Sequence, residues 1–278
     1  MQAFKKIVIA IIISAYPTLQ AELIRGEVIS IDAEGKRIEL SLTGAGGNES
    51  FRVGDGDIAW LETGDQIRGT AAKFGDGRRL DTIWPTDKAT EDAINKAASN
   101  LRQDTLARGY GAFRKQGERI PYFALLNQRG EVVTTHDLRG DYVVLNFIFT
   151  RCASPTMCPA STQRMVELQD KLTEDGVEGW HLVTLTFDPD YDSPGVLHQY
   201  IQDKFIQDEH HTFLTGPKGE VDDLMQQFGI HRRNRDGTID HTMATLIIDP
   251  EGRIHYRKDG SRWSVEDFAE RIEKALAE

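Results

Sequence analysis

Residues 142–160 read YVVLNFIFTRCASPTMCPA, and this stretch carries the strongest fold signal in the chain. The segment from Tyr142 to Thr150 is apolar on both of its alternating faces, as a central strand covered by helices on both sides must be. Cys152 follows that segment directly, and Cys158 stands before Pro159, a residue favoured at the start of helices. The stretch therefore predicts a buried strand, a cysteine loop and a helix.

The elements that surround this stretch alternate in type. The segment YFALLNQRGEVV predicts a hairpin turning at Arg129 and Gly130, WHLVTLTF predicts a second buried strand, and MATLIID and RIHYR predict an antiparallel hairpin joined by a PEG turn. Apolar residues at helical spacing predict four helices. Their core faces are, in chain order, Met165, Leu168 and Leu172; Leu197, Ile201 and Phe205; Val221, Leu224, Met225 and Phe228; and Phe268, Ile272 and Leu276. This order predicts an α/β thioredoxin-like domain over residues 110–278.

The preceding residues predict a different architecture. Residues 22–86 contain short alternating segments, EVISID, RIELSL, SFRVG and QIRGTAAKF, separated by Gly, Asn and Asp. This pattern predicts four or five strands closing into a small all-β barrel of the OB-like type. Residues 87–109 are rich in helix formers and predict a connecting helix that acts as a spacer, with Ala93, Ala97, Leu101 and Leu106 on one face.

The first residues, 1–21, predict export. Two lysines precede an apolar run from Ile7 to Tyr16, and a small residue follows at Ala21. This is the pattern of a secretory signal peptide, because the run is about half as long as a membrane-spanning helix requires. We expect cleavage near Ala21 and a periplasmic or otherwise exported protein, with an uncleaved anchor as the alternative.

The charge of the chain argues against nucleic acid as a partner. The formal net charge is −11, and removal of the signal segment, with two lysines and no acids, makes it −13. A surface of this sign repels phosphate backbones. Membrane contact is expected only through a partner or an uncleaved signal.

The two cysteines of the chain, Cys152 and Cys158, have three interpretations: a structural disulfide, a redox couple or two ligands of a metal site. A core of this size does not depend on disulfides, which favours chemistry. Both thiols are expected at the carboxyl edge of the sheet, where α/β sheets place their ligands. The helix terminus is expected to favour thiolate at Cys158, and Arg151 to do the same for Cys152. Acidic thiols suit redox chemistry and metal binding equally, so acidity does not separate the two.

A histidine in reach of both thiols would favour a metal, because two thiolates and an imidazole form a soft ligand set suited to copper. His241 precedes the strand MATLIID, which is expected beside the strand that ends at the cysteines. His231 is a weaker candidate in a loop. The remaining histidines carry no supporting pattern: His136, His181, His198, His210, His211 and His255.

Three motifs together resemble the Sco/SenC family of exported copper-binding proteins, which help to assemble the copper centre of respiratory cytochrome oxidase. They are VVLNFIFTRC with CPA, TFDPDYDSPGVLHQY, and DHTMATLIIDPEGR, within residues 110–278. The resemblance implies that Cys152, Cys158 and His241 bind Cu(I) or Cu(II), and that the two cysteines also cycle through a disulfide. Asp188 matches a family position near the site, although a turn acid is an equal interpretation.

The chain departs from the family in one respect: five residues, ASPTM, separate the cysteines where the family has three. This spacing leaves the copper geometry open, and Met157 adds a thioether that is either an auxiliary ligand or a packing residue. The barrel has no His, Met or Cys and is expected to be a docking module.

Three functions follow. The first is a copper chaperone that delivers metal to a copper-bearing oxidase subunit or another copper-receiving protein. The second is a thiol-disulfide oxidoreductase in which Cys152 and Cys158 are the catalytic residues. The third is an interaction protein with a static disulfide.

Overall fold

The computed structural model describes residues 21–44, 46–235 and 238–277. The predicted signal segment lies, apart from Ala21, outside these residues. Strands in the described residues are β1 Glu22–Asp32, β2 Arg37–Leu42, β3 Asn48–Arg52, β4 Gln66–Phe74, β5 Gly77–Pro85, β6 Ala124–Asn127, β7 Val132–Thr134, β8 Tyr142–Ile148, β9 Trp180–Thr186, β10 His211–Thr215, β11 Arg232–Arg235, β12 Thr238–His241, β13 Ala244–Ile248 and β14 Ile254–Asp259. Helices in the same residues are α1 Asp55–Ile58, α2 Lys88–Arg108, α3 Cys158–Glu174, α4 Pro194–Asp203, α5 Lys218–Phe228 and α6 Val265–Leu276. Within this part of the chain, none of the helices has the length and apolarity needed to cross a membrane.

Strands β1 to β5 form the predicted barrel, closed in the order β1-β2-β3-β5-β4. Alternate residues of β1 and β2, among them Val28, Ile38 and Leu40, fill its interior. Of the four or five strands predicted, the fifth is β5, for which no segment was identified because its burial does not alternate regularly. A register shift between Arg68 and Thr70 offsets its pairing with β4, which removes the period-two signal.

Helix α2 begins after Asp87, whose side chain accepts a hydrogen bond from the backbone of Thr90 at 3.0 Å. The prediction of a spacer was wrong, because the helix packs against α5 and β6. Its buried face contains Ile94, Ala97, Leu101 and Thr105, whereas Leu106 is exposed. Arg102 adds an ion pair to Asp223 of α5 at 2.8 Å. The helix therefore joins the barrel to the second domain by packed contacts.

The second domain is built on a sheet in the order β14-β13-β8-β9-β10-β6-β7. Strands β8, β9 and β10 are parallel, and β13 is antiparallel to β8. Val144 packs with α3 and α6 on one face, and Val143 and Leu145 pack with α4 and α5 on the other. This confirms the thioredoxin-like prediction and its doubly covered central strand.

Two predicted core residues are instead exposed. Phe205 is 87% exposed, because α4 ends at Asp203 and Phe205 follows it with a left-handed φ of 55°. Helical spacing no longer applies there, and Ile206 is buried in its place. Leu276 is 40% exposed because it occupies the last position of α6.

Candidate metal and thiol site

The cysteine loop connects the end of β8 to the start of α3. Cys152 closes a turn in which its backbone N–H donates to the carbonyl of Phe149 at 3.3 Å, and its side chain is partly exposed. Cys158 is the first residue of α3 and is fully buried. The five-residue loop thus places one thiol at the surface and the other beneath it.

Buried polar side chains attach α3 to the sheet below the thiols. Asn146 of β8 donates to Ser161 Oγ at 3.2 Å and accepts from Thr184 Oγ1 at 2.6 Å. The hydroxyl of Thr184 also contacts the buried His211 Nε2 at 2.8 Å. Because these groups satisfy one another away from water, they hold the helix start in one position relative to the strand.

His241 reaches the thiols from the last position of β12, three positions before β13 begins. Pairing of β13 with β8 confirms the predicted neighbourhood of the two segments. The imidazole packs between Phe149 and Phe187, with centroid distances of 5.7 and 4.5 Å. Its Nδ1 lies 3.0 Å from the Thr242 carbonyl, an acceptor that assigns the proton to Nδ1. Nε2 is therefore left with a lone pair that faces the thiols.

The three side chains converge on one point. Cys158 Sγ lies 3.6 Å from His241 Nε2, and the ligand atoms of Cys152, Cys158 and His241 all lie within 4.8 Å of one another. Two ligands at metal bond lengths of about 2.0–2.3 Å, the values known for zinc, are separated by at most about 4.6 Å. Small side-chain rotations would therefore bring all three atoms around a single ion.

Burial raises the pKa of the Cys158 thiol, and proximity to Cys152 acts in the same direction, against the opposing hydrogen bond to the Phe149 backbone. The helix terminus was expected to favour thiolate at Cys158, whereas loss of hydration on burial shifts this pKa in the opposite direction in the metal-free protein. Burial also lowers the pKa of His241, partly offset by the Thr242 carbonyl and Asp240. A neutral imidazole is the form that binds metals.

Arg151 and Asp188 form an ion pair beside the loop. Arg151 Nε lies 2.7 Å from Asp188 Oδ2, and the guanidinium lies over the ring of Tyr191 at 4.9 Å. Asp188 is buried two positions after the end of β9, and its backbone N–H donates to Thr186 Oγ1 at 3.1 Å. Asp188 thus combines the two expected roles, a turn acid close to the site, and it engages the arginine that was expected to act on Cys152.

Asp192 is a site residue that the sequence did not single out. Its buried carboxylate accepts from the backbone N–H of Thr150 at 3.1 Å, from the Thr150 hydroxyl and from Thr186 Oγ1 at 2.5 Å. Burial raises its pKa to about 6, with the threonine hydrogen bonds acting in the opposite direction. Asp192 therefore fixes the residue two positions before Cys152. In the sequence, its position in the segment FDPDYD that follows β9 was the available signal for a site residue. Any acidic residue in a turn has the same position relative to a strand.

The other sequence candidates lie outside the triad. Met157 and the exposed His231 line a cavity that also borders His241. His211 is buried in β10, and this burial lowers its pKa to about 3. His210 packs on Trp180, His136 on Tyr122 and His255 on Tyr142. These histidines have packing roles.

A thioredoxin-like domain that gathers two cysteines and a histidine at one sheet edge defines a class of thiol proteins suited to redox exchange or to binding of a soft metal. The model of the SCO1/SenC family matches residues 112–277, more than half of the sequence. The chain belongs to the SCO1/SenC family.

Two relatives from different organisms illustrate the match. The mitochondrial SCO2 homolog of Bos taurus is 28% identical over 161 residues, which cover 54% of this chain and 58% of that protein. The SCO2-like protein of Rickettsia prowazekii (strain Madrid E) is 33% identical over 141 residues, covering 47% of this chain and 64% of that protein. The chain therefore spans less than two thirds of the length of these relatives.

Solved structures of other proteins have a fold similar to that of the second domain. A SCO1/SenC family lipoprotein from Bacillus anthracis str. Ames has a TM-score of 0.53 and 28% identity, covering 60% of this chain and all of that one. Arabidopsis thaliana ScoI, solved with copper bound, has a TM-score of 0.51 and 22% identity, covering 58% of this chain and 99% of that one. At 22% identity the second likeness concerns the fold alone.

Proposed function

We propose that this protein binds copper through Cys152, Cys158 and His241 and delivers it to a copper centre, that of a respiratory cytochrome oxidase being the receiver that family membership favours. The observation that carries the proposal is the convergence of the three ligand atoms within 4.8 Å. The oxidation state of the bound copper, Cu(I) or Cu(II), is part of the proposal to be measured.

The ligand chemistry supports copper. Thiolate sulfur is a soft ligand that selects Cu(I) or Zn²⁺, and imidazole suits copper and zinc. The His241 proton on Nδ1 is held by the Thr242 carbonyl, which orients Nε2 toward Cys158. The related fold of A. thaliana ScoI was solved with copper bound. The donor set of this chain therefore fits copper.

The partial exposure of Cys152 supports delivery. A cargo ion must pass to a receiver by ligand exchange, so at least one ligand has to be accessible to the incoming donor. Cys152 and His241 are both partly exposed, whereas Cys158 is buried. We infer that exchange begins on the Cys152 and His241 side, with Cys158 the last ligand to release the ion.

An exported location fits this role, because the family that the sequence resembles consists of exported copper-binding proteins. The amino-terminal pattern of residues 1–21 is the basis of this part of the proposal. The barrel is proposed as a docking module for the receiver.

The test is an anaerobic titration of the reduced protein with Cu(I) against a competing chelator, repeated with Zn²⁺. We expect one tightly bound equivalent of Cu(I), lost in both Cys152→Ser and Cys158→Ser. Circular dichroism shows whether the buried Cys158→Ser variant is folded. Absence of tight binding, retention of copper by the folded variants, or preference for Zn²⁺ would overturn the proposal.

A second candidate is a thiol-disulfide oxidoreductase that reduces partner cysteines. The unequal exposure of the two free thiols favours it, since an exposed attacking thiol and a buried resolving thiol are the usual pair. Cys152 is then the nucleophile and Cys158 the resolving residue. Reduction of a model disulfide by the protein, lost in Cys152→Ser and unaffected by His241→Ala, would favour this function over copper delivery.

A further inference from the structure

A cavity of about 480 Å³ borders His241, between the β11–β12 hairpin, the β13–β14 hairpin and the start of α3. Met157, His231, His241 and Met243 line it together with Phe113. We call it the methionine cavity. It shares the wall formed by His241 with the triad of Cys152, Cys158 and His241.

Two of the chain's five methionines therefore border the same space as the candidate metal ligand. Met157 directly precedes Cys158 and caps α3. Met243 lies two residues after His241, is buried and also borders the cavity. Thioether sulfur is a soft, uncharged ligand that favours Cu(I) over harder ions. The remaining internal methionines, Met165 and Met225, lie in the core.

His231 is fixed at the rim of this cavity. Its backbone N–H donates to Thr242 Oγ1 at 2.9 Å, and its carbonyl accepts from the Thr242 N–H at 2.9 Å. The two bonds join His231 to the residue next to His241, while the imidazole of His231 itself stays exposed. The exposed residue His231 and the two methionines, Met157 and Met243, thus border one cavity together with His241.

We propose that the methionine cavity is a second, weaker Cu(I) site, in which the Met157 thioether and the His231 imidazole hold the ion before it enters, or after it leaves, the triad. The inference rests on the proposed copper function. Transfer between the two sites requires no oxidant or reductant, because it exchanges ligands of Cu(I) without changing its charge. Neutral donors suit a transit position, since they bind Cu(I) more weakly than two thiolates do.

The binding test follows the methionine methyl groups by NMR in the full chain labelled with [methyl-¹³C]methionine. The reduced protein is titrated anaerobically with Ag(I), a diamagnetic analogue of Cu(I), and then with Cu(I). We expect the first equivalent to fill the triad and a second, weaker and saturable event to shift the Met157 methyl, with the core methyls of Met165 and Met225 unmoved. Met157→Leu and His231→Ala should lose or weaken the second event, and Met225→Leu should keep it.

A kinetic test addresses the route. Loss of Cu(I) from the loaded protein to bicinchoninate should be slower in Met157→Leu than in the matched Met225→Leu variant. The cavity proposal is overturned if the Met157 methyl shows no saturable shift, or if the two variants transfer Cu(I) at equal rates. If the first equivalent still depends on Cys152 in that case, the proposed function remains intact. A first equivalent that survives Cys152→Ser overturns the proposed function instead.

Discussion

Cys158 Sγ and His241 Nε2 lie 3.6 Å apart although 83 positions separate them in the sequence. Pairing of β13 with β8 and of β12 with β11 brings them together. Phe149 and Phe187 then hold the imidazole in place. The contact therefore depends on the whole sheet and not on either segment alone.

Replacing His241 with Ala should lower copper affinity by at least about tenfold, which corresponds to about 1.4 kcal/mol, because the ion loses one of its ligands. Competition with a chelator measures the change. His136→Ala is the control, since His136 is exposed and stacks on Tyr122 away from the site. Equal affinities of the two variants would show that the imidazole does not bind the ion.

The two thiols should differ in reactivity in the metal-free protein. Cys152 is partly exposed, whereas Cys158 is buried and its pKa is raised by that burial. Brief treatment with iodoacetamide should therefore modify Cys152 first, as located by peptide mass spectrometry. Cys158→Ser should retain the label and Cys152→Ser should lose it. Preferential modification of Cys158 would contradict the observed burial.

Replacing Asp192 with Ala should destabilise the domain by about 2–4 kcal/mol, because the N–H and hydroxyl of Thr150 and the hydroxyl of Thr186 lose their common acceptor. Urea unfolding measures the loss. Asp190→Ala is the matched control from the same loop, where an exposed pair with Lys218 at 2.9 Å should contribute less than about 1 kcal/mol. Similar losses in both variants would rule out a special role for Asp192.

The barrel contacts the second domain through two glycines. A Cβ on Gly56 of α1 would lie 1.9 Å from the carbonyl oxygen of Gly195 in α4. Gly56→Ala should therefore force the two helices apart and lower the free energy of unfolding by about 1–3 kcal/mol. Gly219→Ala is the control, because a Cβ there meets nothing within 4 Å and alanine favours the helix. A thermal melt of Gly56→Ala that matches this control would contradict the close contact.

Asp57, at the same contact, should make stability depend on pH. Burial raises the pKa of this carboxyl to about 7. A raised pKa favours the protonated folded state, so the stability that this group contributes is present below about pH 4 and is lost as the pH rises to 7. Asp57→Asn should remove this loss and be more stable than the parent by about 2–4 kcal/mol at pH 8, with little difference at pH 4.

Urea unfolding at the two pH values measures this difference. Asp55→Asn serves as the comparison, since Asp55 is exposed and pairs with Lys36 at 2.6 Å. If the free energy of unfolding of Asp57→Asn and of the parent depends on pH in the same way, the buried carboxyl is not the cause of that pH dependence.

Local patterns in the sequence were sufficient to predict the central strand, the helix that starts at the cysteines, the barrel and the histidine of the triad. Each depends on a short-range regularity: apolar residues on both faces of Tyr142–Thr150, a proline after Cys158, and period-two segments between turns. His241 was found because its position before a strand is a local feature and the fold class specifies which strands are neighbours.

The properties that depend on burial by residues distant in the sequence became visible only in the tertiary structure. The helix terminus is local to Cys158, but the loss of water that raises its pKa comes from packing around it. Asp192 is one acid among several in its loop until Thr150 and Thr186 are seen to donate to it. The packing of α2 and the methionine cavity likewise arise where separate elements meet. The physical reason is that the free energy of burying a group is set by all the atoms around it and not by its sequence neighbours.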